Sequence, residues 1–314
     1  MKKLLPIILL FARILFADQI YIAKQKGTDQ SIIVSLEPAP ASTQVDANVT
    51  IKAVFTEPLY PLFAKRGVTL KKLTQTKGFF GFGKTIKQKY VQGSIKYDKS
   101  THTITFKPNK PLAVGFYEVR FHHLMKQKLK KGMIVKPIVY RFYVPEVING
   151  FKLPPEPDPK KNNETIEGID FNHNGIRDDV ERWIIHRYAN DPKYPKTKTA
   201  IALQYAKASQ YIITHDPKHA YENKTYEIFD RAMDCEGYFI DKLIKKGTKI
   251  EDAYINNDFF EDIKPKIFNT KDRVKAYWQF NASLSGHMLG GGGGIMSSTR
   301  DKCDIDIVTL GEMQ

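Results

Sequence analysis

The stretch VQGSIKYDKSTHTITFKPNKPLAVGFYEVRF, Val91–Phe121, decides how the first half of the chain is read. It holds three short runs, GSIKYD, HTITFKP and GFYEVRF, separated by YDKSTH and KPNKPLAVG. Within each run, β-branched and aromatic residues alternate with polar ones, the pattern of a strand with one buried face. The breaks carry Pro, Gly, Asn and Asp, residues that set turn geometry. Outward toward the N-terminus, GVTLKKL, NVTIKAVF and SIIVSL repeat the pattern, and toward the C-terminus IVYRFYV does. Seven short strands between Ser31 and Val144 predict an antiparallel sandwich.

Two segments carry a resemblance. SLEPAPASTQVDANVTIKAVFTEPL, Ser35–Leu59, has a proline-rich lead-in and an FTEPL step after a strand, and the YD…TITFKP…GFY run follows in Val91–Phe121. Together they resemble the bacterial Ig-like domain of S-layer and other envelope proteins. The likeness spans about residues 30–145 and departs at KKLTQTKGFFGFGKTIKQKY, Lys71–Tyr90, which is longer and more basic than a plain hairpin needs. It implies a stalk, spacer or presentation module and brings no catalytic residue with it.

The 314 residues suffice for two domains, and 42% hydrophobic with 12% aromatic content supports real cores. Residues 1–17, MKKLLPIILLFARILFA, start cationic and continue as an apolar run too short to span a bilayer, so a secretory signal peptide is expected there. That predicts an exported protein, periplasmic or at the cell surface. An even pair of cysteines, Cys235 and Cys303, fits one disulfide in such a compartment. The net charge of +15 is uneven: residues 18–150 hold 22 Lys and Arg against 8 Asp and Glu, whereas residues 151–314 hold 24 against 26. The excess positive charge of the mature chain therefore lies in the sandwich region and marks a domain boundary.

Four domain-level segments follow: an Ig-like sandwich over 18–146, a proline-rich linker over 147–169 expected to stay extended and unpacked, a calcium loop at 170–181, and an α-helical domain over 182–314. The fold class is thus multidomain, an all-β Ig-like sandwich followed by a small, mainly α-helical domain. DVERWIIHRYAN, KTAIALQYAKASQYIITH, EIFDRAMDCEGYFIDKLIKKG and DRVKAYWQFNASLSG place apolar residues three and four apart, as amphipathic helices do. LGGGGGI, Leu289–Ile295, is too rich in glycine to hold one conformation.

DFNHNGIRDDVE, Asp170–Glu181, puts oxygen-bearing side chains at places one, three, five, nine and twelve, with glycine at six. Calcium takes six to eight hard oxygens, which Asp170, Asn172, Asn174, the Ile176 carbonyl, Asp178 and Glu181 supply in that spacing. The competing reading is a polar turn in which Asp178 or Asp179 caps a helix. Place eight is Arg177, where a paired EF-hand carries an apolar residue. The pattern looks more like the single loops of secreted proteins, such as thrombospondin type 3 repeats, and implies a structural clip rather than a sensor.

GFFGFGKT, Gly78–Thr85, formally matches a phosphate-binding loop, but a strand-like stretch follows where a helix is needed, so a nucleotide is not expected. The preferred reading is a hairpin tip that presents Phe79, Phe80 and Phe82 among Lys84, Lys87 and Lys89 to an anionic envelope polymer, lipid headgroup or envelope protein. Export argues against nucleic acid as the partner of the basic region. The expected function is non-enzymatic: an Ig-like attachment module and a helical partner-binding domain, stabilised by calcium. The alternative is an envelope-polymer hydrolase with Asp234, Glu236, His287 and Asp304 as candidates in the helical domain.

Overall fold

The structure is a computed structural model and describes residues 32–77, 84–127, 134–253, 259–287, 298–304 and 307–309. The expected leader at 1–17, the phenylalanines Phe79, Phe80 and Phe82, and the glycine run 289–295 lie outside the described residues. The chain divides into two units, Met1–Val144 and Pro145–Gln314.

The first unit contains strands β1 (Ile33–Glu37), β2 (Ile51–Phe55), β3 (Val68–Lys77), β4 (Lys84–Tyr90), β5 (Gly93–Asp98), β6 (Thr103–Pro108), β7 (Gly115–Phe121) and β8 (Ile138–Val144), with one helical turn, α1 (Pro61–Ala64). They form two antiparallel sheets ordered β1-β2-β6-β5 and β4-β3-β7-β8. Alternation decides the packing: Ile51, Ala53 and Phe55 of β2 and Ile104 and Phe106 of β6 point from one sheet into the same core as Val119, Phe121, Tyr140 and Phe142 of the other. Phe55 and Phe121 meet edge to face across the sheets at 6.3 Å. The seven expected strands all form. KTIKQKY adds an eighth, β4, along the edge of the second sheet.

The second unit begins with a small hairpin, β9 (Val147–Ile148) and β10 (Phe151–Lys152), and the short helix α2 (Pro159–Asn162). Helices α3 (Asp178–Tyr188), α4 (Pro195–Thr214), α5 (Glu227–Lys245), α6 (Ile250–Ala253), α7 (Phe259–Ile267) and α8 (Lys271–Leu284) follow. Helix α4 is the central one: Ala200, Ile201, Ala206 and Ile212 on it are wholly buried, and it packs against α3, α5, α7 and α8. Its many alanines let neighbouring helices come close on several sides. Cys235 of α5 and Cys303 form a disulfide with Cα atoms 4.9 Å apart, which ties the C-terminal segment to the helical core.

One expectation fails here. The stretch 147–169 is not an unpacked linker: Phe151 and Leu153 are buried in the helical core, and Asn162 is buried as well. Prolines remove N–H donors but leave every carbonyl, and side chains far along the chain satisfy those carbonyls. Arg182 of α3 donates to the Pro154 carbonyl, Gln210 of α4 to that of Glu167, and Arg273 of α8 to those of Asn162, Thr165 and Ile166. The calcium-type loop therefore lies inside the second unit rather than at its border.

Candidate functional site

The loop Asp170–Glu181 is folded as a tight coil of Asx-type turns leading into α3. Asp170 accepts N–H bonds from Asn174 (3.2 Å) and Gly175 (2.8 Å), and Asn174 Oδ1 accepts from Ile176 N–H (2.9 Å). Asn172 Oδ1 accepts from Asn174 N–H, and its Nδ2 donates to Glu181 Oε2 at 3.0 Å. The chain turns into the left-handed region at His173 (φ +56°) and Gly175 (φ +86°), places four and six. The left-handed backbone at Gly175 strains any residue with a β-carbon, which would also press on the Lys207 side chain at 3.2 Å, so glycine is favoured there.

Asp178 and Glu181 carry the electrostatics of the site. They are 1% and 6% exposed. Asp178 Oδ1 accepts from the Phe171 N–H at 3.0 Å, but its Oδ2 is buried with no hydrogen-bond partner. Burial pushes the Asp178 carboxyl up to about 8, and the negative charges of Glu181, Asp170 and Asp179 add to the rise. Burial pushes Glu181 up to about 7, opposed by hydrogen bonds from Asn172 and Asn174. Two carboxyls held this way favour neutralisation, either by a proton or by a cation. The helix-capping alternative does not describe the geometry, because the N-cap of α3 is Arg177 and no side chain caps it. Among the described residues no three His, Cys, Asp or Glu side chains gather round one point. A complete oxygen shell here would need the two asparagines and the Ile176 carbonyl as well.

Arg177, at place eight, is wholly buried. It forks onto Asp179 and also donates to the carbonyls of Ile267 (3.1 Å) and Lys266 (2.5 Å) at the end of α7. The last carbonyls of a helix lack partners and carry partial negative charge, so a guanidinium suits them. The position through which a twin loop would pair is thus committed to a helix end in the same unit.

Arg273 is the companion residue that sequence reading missed. Also fully buried, it spends all five N–H donors on the carbonyls of Asn162, Thr165 and Ile166 and on the side-chain oxygens of Asn163 and Asn269. Burial, with Arg177 nearby, lowers it to about 10. Gly168 (φ +67°) lies between the two arginines, where an added β-carbon would sit 2.3 Å from Arg177 Cδ. Lys207 flanks the loop from α4 and pairs with Asp304, whose backbone N–H donates to Gln204.

The other sequence-derived residues are dispersed. Lys87 and Lys89 are exposed on edge strand β4, and the register sets Lys89 opposite Lys72 and Lys87 opposite Thr74 on one face. Lys84 opens β4 opposite Lys77. Lysines on an edge strand also discourage pairing with another chain. The residues after GFFGFGKT continue as strand β4, with no helix N-terminus to face a phosphate. Of the hydrolase candidates, Glu236 accepts from the Tyr205 hydroxyl (2.7 Å), Asp304 pairs with Lys207, His287 stacks on Tyr221 at 3.5 Å, and Asp234 is buried on α5. Glu236, Asp304 and His287 each have a partner outside this group of four.

Among curated proteins, none matches this chain. Among solved structures it is similar to PcoC, a methionine-rich copper resistance protein from Escherichia coli, with 21% identity over 36% of this chain and 96% of that chain, at a TM-score of 0.26. The selenomethionine form of PcoC gives 20% identity over 36% and 97% of the two chains, at 0.26. CopC from Methylosinus trichosporium OB3b gives 20% identity over 36% and 92%, at 0.25. Residues 28–124 match the bacterial Ig-like domain family, which supports the Ig-like reading of the two-sheet sandwich in the first unit.

Proposed function

We propose that this is an exported, calcium-stabilised envelope protein, with the Ig-like unit as attachment or presentation module and the helical unit as partner-binding domain. The observation that carries the calcium part is the buried, unpartnered Asp178 Oδ2 within a loop that Asp170 closes on the Asn174 and Gly175 N–H groups and that Asn172 Nδ2 joins to Glu181. Asp170, Asn172, Asn174, the Ile176 carbonyl, Asp178 and Glu181 would hold the ion. Its chemistry would be charge neutralisation: a divalent cation lets buried carboxylates stay ionised without protons. The chain's own residues then act as the clip, because Asp170 opens the loop and Glu181 lies in the first turn of α3.

Three carboxylates and two amides predict a dissociation constant on the order of 10⁻⁴ to 10⁻³ M, as in extracellular modules. Calorimetric titration with calcium, alongside melts with and without chelator, tests this. Saturable binding of a single ion by the native chain, absent in Asp170→Ala combined with Glu181→Ala, is the expected result. An unchanged melt on chelation, together with no binding heat, sinks the proposal. Export draws support from the cationic, apolar start, the Ig-like match and the disulfide. The basic β3–β4 edge, with Lys72, Lys87 and Lys89 along one face, fits an anionic envelope surface as the attachment partner.

A further inference from the structure

Several aromatic rings of the helical unit lie under lysines. Lys266 Nζ lies over the Trp183 ring at 5.4 Å, and Lys264 lies over Phe260 and Tyr277 at 5.5 and 5.6 Å. Among the described residues no lysine lies over Trp278, next to Tyr277 on α8: it is 67% exposed, with Val274 one turn before it at 38%. Together with Phe268 these residues line a shallow, open surface groove of about 540 Å³. A large exposed tryptophan beside a groove is what binding hot spots are built from.

The rim of the groove selects its occupant. Lys271 and Lys275 line it, and neither forms an ion pair among the described residues. Both lie in the first turns of the 14-residue helix α8, whose N-terminus adds positive potential. The remaining polar groups are already engaged: Asn269 accepts from Arg273 and donates to Asn163, and the Thr270 hydroxyl accepts the Arg273 N–H as N-cap. A neutral sugar chain would leave the charges of Lys271 and Lys275 unmatched. A second copy seated by two-fold symmetry would set the rim lysines against their own kind.

We infer that this groove docks an acidic segment of a partner polypeptide, one apolar side chain resting against Trp278 and Val274 while flanking carboxylates face Lys271 and Lys275. The inference rests on the reading of the helical unit as a partner-binding domain and is independent of calcium. The test uses the full chain and a short dye-labelled peptide carrying a Leu-Phe pair between Asp-Glu runs, followed by fluorescence anisotropy. Versions with Lys for the acidic residues, and with Ser for the Leu-Phe pair, serve as controls.

Saturable binding of the acidic peptide, weakened about tenfold or more by Trp278→Ala and several-fold by Lys271→Glu with Lys275→Glu, is the expected result. Both controls bind poorly. Trp278 is exposed, so an unchanged melting temperature shows that its replacement leaves the fold intact. Peptide binding indifferent to Trp278→Ala overturns the groove. If hydrogen exchange maps that binding to another face of the helical unit, the wider partner-binding reading stands; if it maps to the basic sandwich, both readings fall. Trp278-dependent binding of polygalacturonate or of phosphatidylglycerol vesicles, with none of the peptide, overturns the polypeptide as occupant. No Trp278-dependent binding to any of these probes overturns the inference outright.

Discussion

The sandwich and the helical unit keep their shapes by different means. In the sandwich, Ile51, Ala53, Phe55, Ile104, Val119 and Phe121 interleave between two sheets, and the buried charge is Glu118, bonded by Arg141 at 2.8 Å. The contacts are many, apolar and individually replaceable. In the helical unit the buried set includes Arg177, Arg273, Asp178, Glu181 and Asn162, and a disulfide ties the tail to α5. Arg177 and Arg273 each serve several segments at once, and neither can be removed without orphaning its partners. Apolar packing therefore degrades by degrees in the first unit, whereas the second depends on a few cross-links.

Four predictions press on that contrast. The largest effect belongs to Arg273→Ala, which strips donors from three carbonyls and two asparagines and should cost the helical unit about 3–5 kcal/mol. Calorimetry that showed a loss below about 1 kcal/mol would demote Arg273 to a bystander. Next, Cys235→Ser with Cys303→Ser opens a bridge across a separation of 68 residues and should lower the same transition by about 2–4 kcal/mol. An equal loss in the sandwich transition would contradict the assignment of both cysteines to the second unit.

Third, calcium at about a hundred times its dissociation constant should add about 2.7 kcal/mol, equivalent to roughly 5–10 °C in melting temperature for a unit of this size. Asp170→Ala with Glu181→Ala should abolish that gain. A gain that persisted in the double variant would place the ion elsewhere. The smallest effect is Ile104→Val in the sandwich, which removes one buried methylene and should cost about 1 kcal/mol. Its cost should be the same with calcium or chelator, measured by urea denaturation. A calcium-dependent cost would erase the distinction between the two units.

How far the sequence could be read tracks the same contrast. The strands of the sandwich were legible because alternation is a local property: Ile51, Ala53 and Phe55 announce their shared face within five residues. The eighth strand, β4, follows the same rule inside a stretch that also invited reading as a basic tip. Helices α3, α4, α5 and α8 were legible from their three-four spacing, and α7, interrupted by Pro265, was not. In the candidate site, the loop's oxygens were visible at their places in the sequence. The partners that pin it were not, because Arg177 reaches carbonyls 89 and 90 residues away and Arg273 reaches others 107 to 111 away.

By itself, the sequence determined the Ig-like sandwich, the helical character of the second half, the paired cysteines and the twelve-residue loop with its turn-enforcing Gly175. Those features rest on periodicity, backbone preference and residue chemistry, which act over a few positions. Tertiary structure alone decided that the proline-rich stretch 147–169 is packed, that Asp178 Oδ2 is buried without a partner among the described residues, and that Trp278 is exposed. Burial and hydrogen-bond satisfaction depend on which distant side chains arrive, and Arg182, Gln210 and Arg273 supply the donors that this segment's carbonyls need.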